Sequence, residues 1–235
     1  MSEQSTAFAG DRICHRVLFM RHPETVANTQ KFFSGRMDVA LSPAGVAQRE
    51  KGVEALCSFS PDRIFSSPLS RAHDMALMAA ERLDVPCVTL EDLIEIDFGP
   101  LENVQTNKIH ETGLVFPWPI DDGVSRPPEG AESFEELSAR ASRVLEALLP
   151  MHGRTACVAH GGFLRMLMRV IYDVPMERFW DVHLLNCSSI FLTSDNKTFA
   201  LGGFNLSPED VIEHTSKPNP YDVRDVWGTG RKDIA

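Results

Sequence analysis

Four short runs rich in branched apolar residues, at 17–20, 63–66, 156–159 and 189–193, punctuate the chain, and each has the length of a buried strand. Longer stretches with helical spacing lie between them. The clearest, 133–149, puts Phe134, Leu137, Val144, Leu145 and Leu148 on one face, and Ser133 with Glu136 forms a capping-box signature at its start. Three dipeptides, Ser42-Pro43, Ser67-Pro68 and Ser207-Pro208, each read as an N-cap serine followed by proline at the first helical position. Helices are expected after all three. Strands alternating with helices predict an α/β fold with a mainly parallel sheet, whose functional loops gather at the carboxyl ends of the strands.

The rest of the chain fits one large domain over residues 1–235, with three departures from regular patterning. Residues 1–12 form a polar extension. The segment 100–132 is richer in proline and carries Trp118, which suggests an irregular, lid-like insertion. Residues 214–235 read either as a wrapped arm or as a disordered tail.

Composition narrows the function classes. The start of the chain lacks the basic and apolar regions of a secretory signal, and Arg165 and Arg169 interrupt its richest apolar stretch well short of the ~20 residues a membrane span requires. A soluble, cytoplasmic protein is expected. Cys14, Cys57, Cys87, Cys157 and Cys187 are widely spaced and odd in number, as suits reduced thiols rather than a disulfide framework. The sequons at Asn186 and Asn196 are accordingly read as chance matches. A formal charge of −10 with no basic run argues against nucleic acid and anionic membranes as partners. Nothing in the sequence specifies an oligomeric state.

The candidate chemistry sits at the ends of two predicted strands. The first runs into Arg21-His22-Pro23-Glu24-Thr25, and the third into His160-Gly161-Gly162. Two histidines leaving parallel strands at one edge are expected to face each other across a small group, and the glycines allow close backbone approach. Pro23 restrains His22 to an extended backbone. Arg71 falls in the first turns of a predicted helix, where both its fork of donors and the helix dipole favour an oxyanion. A phosphoryl group fits this set.

These motifs resemble the histidine phosphatase superfamily, the phosphoglycerate mutase-like family. Arg21-His22-Pro23-Glu24-Thr25 is similar to its Arg-His-Gly-Glu-Thr signature, followed at the family's spacing by Gly35, Asp38, Leu41-Ser42 and Gly45. Residues 66–72, 93–99 and 158–165 resemble its second, acid-bearing and second-histidine segments. The resemblance implies a three-layer α/β/α sandwich and a metal-independent phosphomonoesterase of the histidine acid phosphatase type, acting on a small phosphorylated substrate without a cofactor. It also implies roles: His22 as nucleophile, Arg21, Arg71 and His160 around the transferring phosphoryl group, Glu95 as proton donor, and Asn28 with the Gly161 backbone as further phosphate contacts.

The residue types suit the reaction. A neutral imidazole is a competent nucleophile near pH 7, and fixed positive charge on the phosphoryl oxygens contributes ~3–4 kcal/mol per donor against a barrier that must fall by more than ~20 kcal/mol. Two departures from the family pattern stand out. Pro23 replaces a glycine and removes an N–H and any positive φ, and Asn103 stands where relatives often carry glycine. A phosphoglycerate mutase-type phosphomutase is the nearest alternative reading, followed by a non-catalytic phosphate-binding or interaction module. A serine hydrolase lacks its Gly-x-Ser-x-Gly elbow, and no metal-ligand spacing is recognisable. Phe116, Trp118 and Lys108 are read either as a leaving-group wall or as packing.

Overall fold

The computed structural model describes residues 13–216; the polar extension 1–12 and residues 217–235 of the expected tail lie outside the described residues. A six-stranded sheet has the order β3-β2-β6-β1-β7-β8, built from β1 (His15–Arg21), β2 (Arg63–Ser66), β3 (Cys87–Thr89), β6 (Gly153–Ala159), β7 (Ser189–Ser194) and β8 (Phe199–Leu206). The first four in that order run parallel, and β7 and β8 add an antiparallel edge. The short strands β4 (Ile120–Asp121) and β5 (Val124–Ser125) form a separate hairpin.

Alternation along the strands explains the three layers. Val17 and Phe19 of β1, Cys157 and Ala159 of β6, and Ile190 and Leu192 of β7 enter one core, against α4 (Phe134–Leu148) and α5 (Gly161–Tyr172). Leu18, Met20, Ala156, Val158 and Phe191 enter the opposite core, against α2 (Pro43–Phe59), α3 (Ser70–Leu83) and α6 (Pro208–Ser216). Central strands buried on both faces read as continuous apolar runs, which is how they stand out in the sequence.

Helix starts follow the capping chemistry in three of four predicted cases. Ser42 accepts the Gly45 amide at 2.9 Å, Ser207 accepts that of Asp210 at 3.1 Å, and Ser133 and Glu136 form the reciprocal box of α4. Ser67 is the exception. Its amide still donates to Val158 in β6, so α3 begins only at Ser70, and the Asp38 carboxylate takes over the cap by accepting the Ser70 N–H at 2.9 Å. The short helix α1 (Val26–Gln30) has its own box, made by Thr25 and Asn28.

The 100–132 segment is held against the fold by aromatic packing. Phe116 meets Phe33, Phe98, Trp118 and Trp180 with ring centroids 4.8–5.2 Å apart. Trp118 is buried, and its indole N–H donates to the Glu132 carbonyl at 3.0 Å, so packing is its role here. Lys108 is exposed. Asn103 adopts a left-handed backbone with φ 64°, a conformation that glycine favours and asparagine tolerates.

Candidate active site

Two parallel neighbours, β1 and β6, deliver the histidines. Arg21 pairs with Ala159 in register, and the His22 amide extends the pairing by donating to the Ala159 carbonyl at 2.9 Å. The next residues along both strands, His22 and His160, therefore face each other with ring centroids 5.1 Å apart. His22 donates from Nδ1 to the Pro23 carbonyl at 2.6 Å, which leaves the lone pair on Nε2. Pro23 serves through its carbonyl and is not among the positive-φ residues, so the glycine-to-proline departure leaves this geometry intact.

The arginines are partly committed to backbone. Arg71, buried in the first turn of α3, donates to the carbonyls of Met37 at 2.6 Å, Gly35 at 2.7 Å and Ser34 at 3.2 Å. Arg21 donates to Leu184 at 2.6 Å. Three buried nitrogens, Arg21 Nε, Arg71 Nε and His160 Nδ1, have no hydrogen-bond partner among the described residues. Buried donors without partners are rare, and three in one neighbourhood suit an oxyanion.

Charge and burial act together on these groups. Burial is the largest cause holding both histidines well below the ordinary imidazole value, and the nearby charges of Arg71 and Arg21 press the same way. Both imidazoles are neutral at pH 7. Burial, reinforced by the charge of Arg165, lowers Arg21 to about 10, while the charge of Glu95 opposes the shift.

Glu95 lies at the first turn of α5. Its carboxylate accepts the amides of Gly162 at 2.9 Å and Phe163 at 3.0 Å, and also that of Ile96 at 2.9 Å. The glycines make this possible: a Cβ on residue 162 would lie 2.5 Å from Glu95 Oε1, and one on residue 161 would lie 3.2 Å from Arg21 Nε. Arg140 of α4 supports the segment from behind. It pairs with buried Glu132 at 2.6 Å and donates to the carbonyls of Asp92 and Ile94.

Asn28 uses Oδ1 to cap α1 and to accept from Asn186 Nδ2 at 3.1 Å. Asn186 also donates to the His22 carbonyl at 3.2 Å, so a residue read only as a sequon proves to brace the site. Ser67 binds His160 Nε2 at 2.6 Å, and Arg165 anchors the loop before Asn186 by donating to Val182 at 2.7 Å. No local pattern marks the bonds of Asn186, Ser67 and Arg165, because each partner is remote in sequence. Among the described residues, no group of three or more His, Cys, Asp or Glu side chains is placed to hold a metal ion.

A family model described as the histidine phosphatase superfamily, branch 1, matches residues 17–207. The chain belongs to the histidine phosphatase superfamily. The superfamily match covers all four motifs that carry the site. The chain is 29% identical over 174 residues to a Hydrogenobacter thermophilus protein provisionally named phosphoserine phosphatase 2, covering 73% of this chain and 85% of the relative. It is likewise 29% identical over 213 residues to the 2,3-bisphosphoglycerate-dependent phosphoglycerate mutase 2 of Lactobacillus johnsonii, covering 77% of this chain and 92% of the relative. Among solved structures, a mycobacterial glucosyl-3-phosphoglycerate phosphatase in complex with VO3 matches with a TM-score of 0.70 and 26% identity, over 82% of this chain and 99% of the other.

Proposed function

We propose that this superfamily member is a phosphomonoester hydrolase that acts on a small phosphorylated metabolite through a phosphohistidine at His22. The observation that carries the reading is the open Nε2 lone pair of a neutral His22, facing His160 at 5.1 Å beside two arginines whose Nε atoms have no partner among the described residues.

In this mechanism Nε2 attacks phosphorus in line, a P–N bond forms, and the ester P–O bond breaks. Arg21, Arg71, His160 and the Gly161 amide stabilise the non-bridging oxygens, with Asn28 at the margin of the same pocket. Glu95 must enter the cycle in its acid form, and it gives that proton to the departing oxygen and becomes the carboxylate. Water then attacks the phosphohistidine, Glu95 takes the proton from that water, and phosphate leaves with the imidazole restored. The arginine charge does the electrostatic work assigned elsewhere to a metal ion, so chelation is expected to leave the rate unchanged.

The test is phosphate release from p-nitrophenyl phosphate and a metabolite panel in EDTA, comparing wild type with His22→Ala. Release that survives EDTA and vanishes in the variant is expected, together with an acid-labile phosphoenzyme in wild type alone. Activity retained by the variant sinks the nucleophile. The similarity to the Lactobacillus mutase supports one other reading, phosphoryl transfer to a second hydroxyl, and phosphoglycerate interconversion without net phosphate release would select it.

A further inference from the structure

Ser67 has the geometry to decide which nitrogen of His160 carries the proton. Its side chain is fully buried, where an O–H left without an acceptor carries the full cost of desolvation. Among the described residues its hydroxyl has two bonds: it accepts the Leu69 amide at 3.3 Å, and it lies 2.6 Å from His160 Nε2. The amide can only donate. The hydroxyl proton therefore goes to Nε2, which must be unprotonated to receive it.

We infer that Ser67 is a positioning residue that locks neutral His160 in its Nδ1–H tautomer, turning the buried, unpartnered Nδ1 into a hydrogen-bond donor for the phosphoryl group. The opposite tautomer would strand the serine proton and aim a lone pair at an anion, two costs that act in the same direction. The two facing imidazoles then share one tautomer but present opposite functions. His22 is fixed by the Pro23 carbonyl and offers a lone pair from Nε2, whereas His160 is fixed by Ser67 and offers a proton from Nδ1. Nucleophile and oxyanion donor are set apart by which nitrogen each backbone or hydroxyl partner occupies. The donor role rests on the proposed hydrolysis; the tautomer follows from the hydrogen-bond accounting alone.

Long-range 15N–1H correlation of the imidazoles at pH 7.5 tests it, with the His160 signals identified by their loss in His160→Asn. The expected wild-type pattern is a protonated Nδ1 and a bare Nε2 on His160. Ser67→Ala is expected to mix the tautomers and to lower kcat by about ten- to hundredfold, a part of the loss seen when an oxyanion donor is removed outright. Ser67→Thr, which keeps the hydroxyl, is expected to restore both the wild-type pattern and most of the rate. A wild-type His160 protonated on Nε2 overturns the inference whatever the activity, as does an unchanged tautomer in a folded Ser67→Ala protein. Because the wild-type spectrum needs no turnover, a protein without phosphatase activity but with the Nδ1–H pattern would refute the hydrolase reading and leave the tautomer standing.

Discussion

The Glu95 carboxylate and the Gly162 amide are joined at 2.9 Å across 67 residues of chain, so the acid-bearing segment is fastened to the helix that starts just after His160. Any atom added at residue 162 is added against that carboxylate. Gly162→Ala places a methyl group 2.5 Å from Glu95 Oε1 and forces the side chain away. The expected outcome is a loss of about 1–3 kcal/mol in stability from overpacking, with kcat falling more than KM changes. Urea melts and steady-state kinetics on the same preparation check it.

Arg71→Lys should be costly although the charge is kept. A lysine cannot serve the Ser34, Gly35 and Met37 carbonyls together while directing another nitrogen at substrate. We expect kcat/KM to fall by about 10²–10³, and amide exchange across residues 34–37 to quicken. Unchanged exchange would show that the loop does not depend on the guanidinium.

The Arg140–Glu132 pair is buried on both sides, with side-chain exposures of 6% and 7%. Arg140→Met leaves the Glu132 charge without its main partner and frees two carbonyls, so a loss of about 3–5 kcal/mol is expected. Adding Glu132→Gln should recover part of it. A double-mutant cycle in urea reads the coupling directly.

Much of this was legible in the sequence, and what was hidden has a common cause. Strand positions, the α4 capping box and the histidines at the strand ends depend on local patterns, and the structure reproduces them. Ser67 looked like a helix cap because Ser-Pro usually is one, but its backbone remains paired with β6 and its side chain belongs to His160. Asp38 caps α3 from 32 residues upstream, and Asn186 braces His22 from 164 residues downstream. Partners chosen by tertiary contact leave no periodic trace.

Stability should decline in mild acid through buried neutral histidines. His15 bonds to the Leu148 carbonyl and Thr155 hydroxyl, and burial, the largest cause, lowers its value to about 4. Between about pH 6.5 and 4 the unfolded chain holds a proton that folded His15 does not, so the contribution is intact above pH 6.5 and is lost as pH falls. One such group gives a slope of up to about 1.4 kcal/mol per pH unit. His22 and His160, lowered in the same direction, add to it. Urea unfolding from pH 8 to 4 should steepen below 6.5, and less so in His15→Gln; identical profiles would remove His15 from the account.

The register of β1 against β6 sets a mechanical tolerance for the reaction. Parallel strands lie ~4.8 Å apart because amide bonding fixes them there, and His22 and His160 leave those strands one residue beyond a paired position. The gap between the imidazoles is thus gauged by main-chain geometry, which side-chain substitutions in either core barely alter. Sequence drift in the packing layers can erode the stability of this fold long before it spoils the alignment of its chemistry.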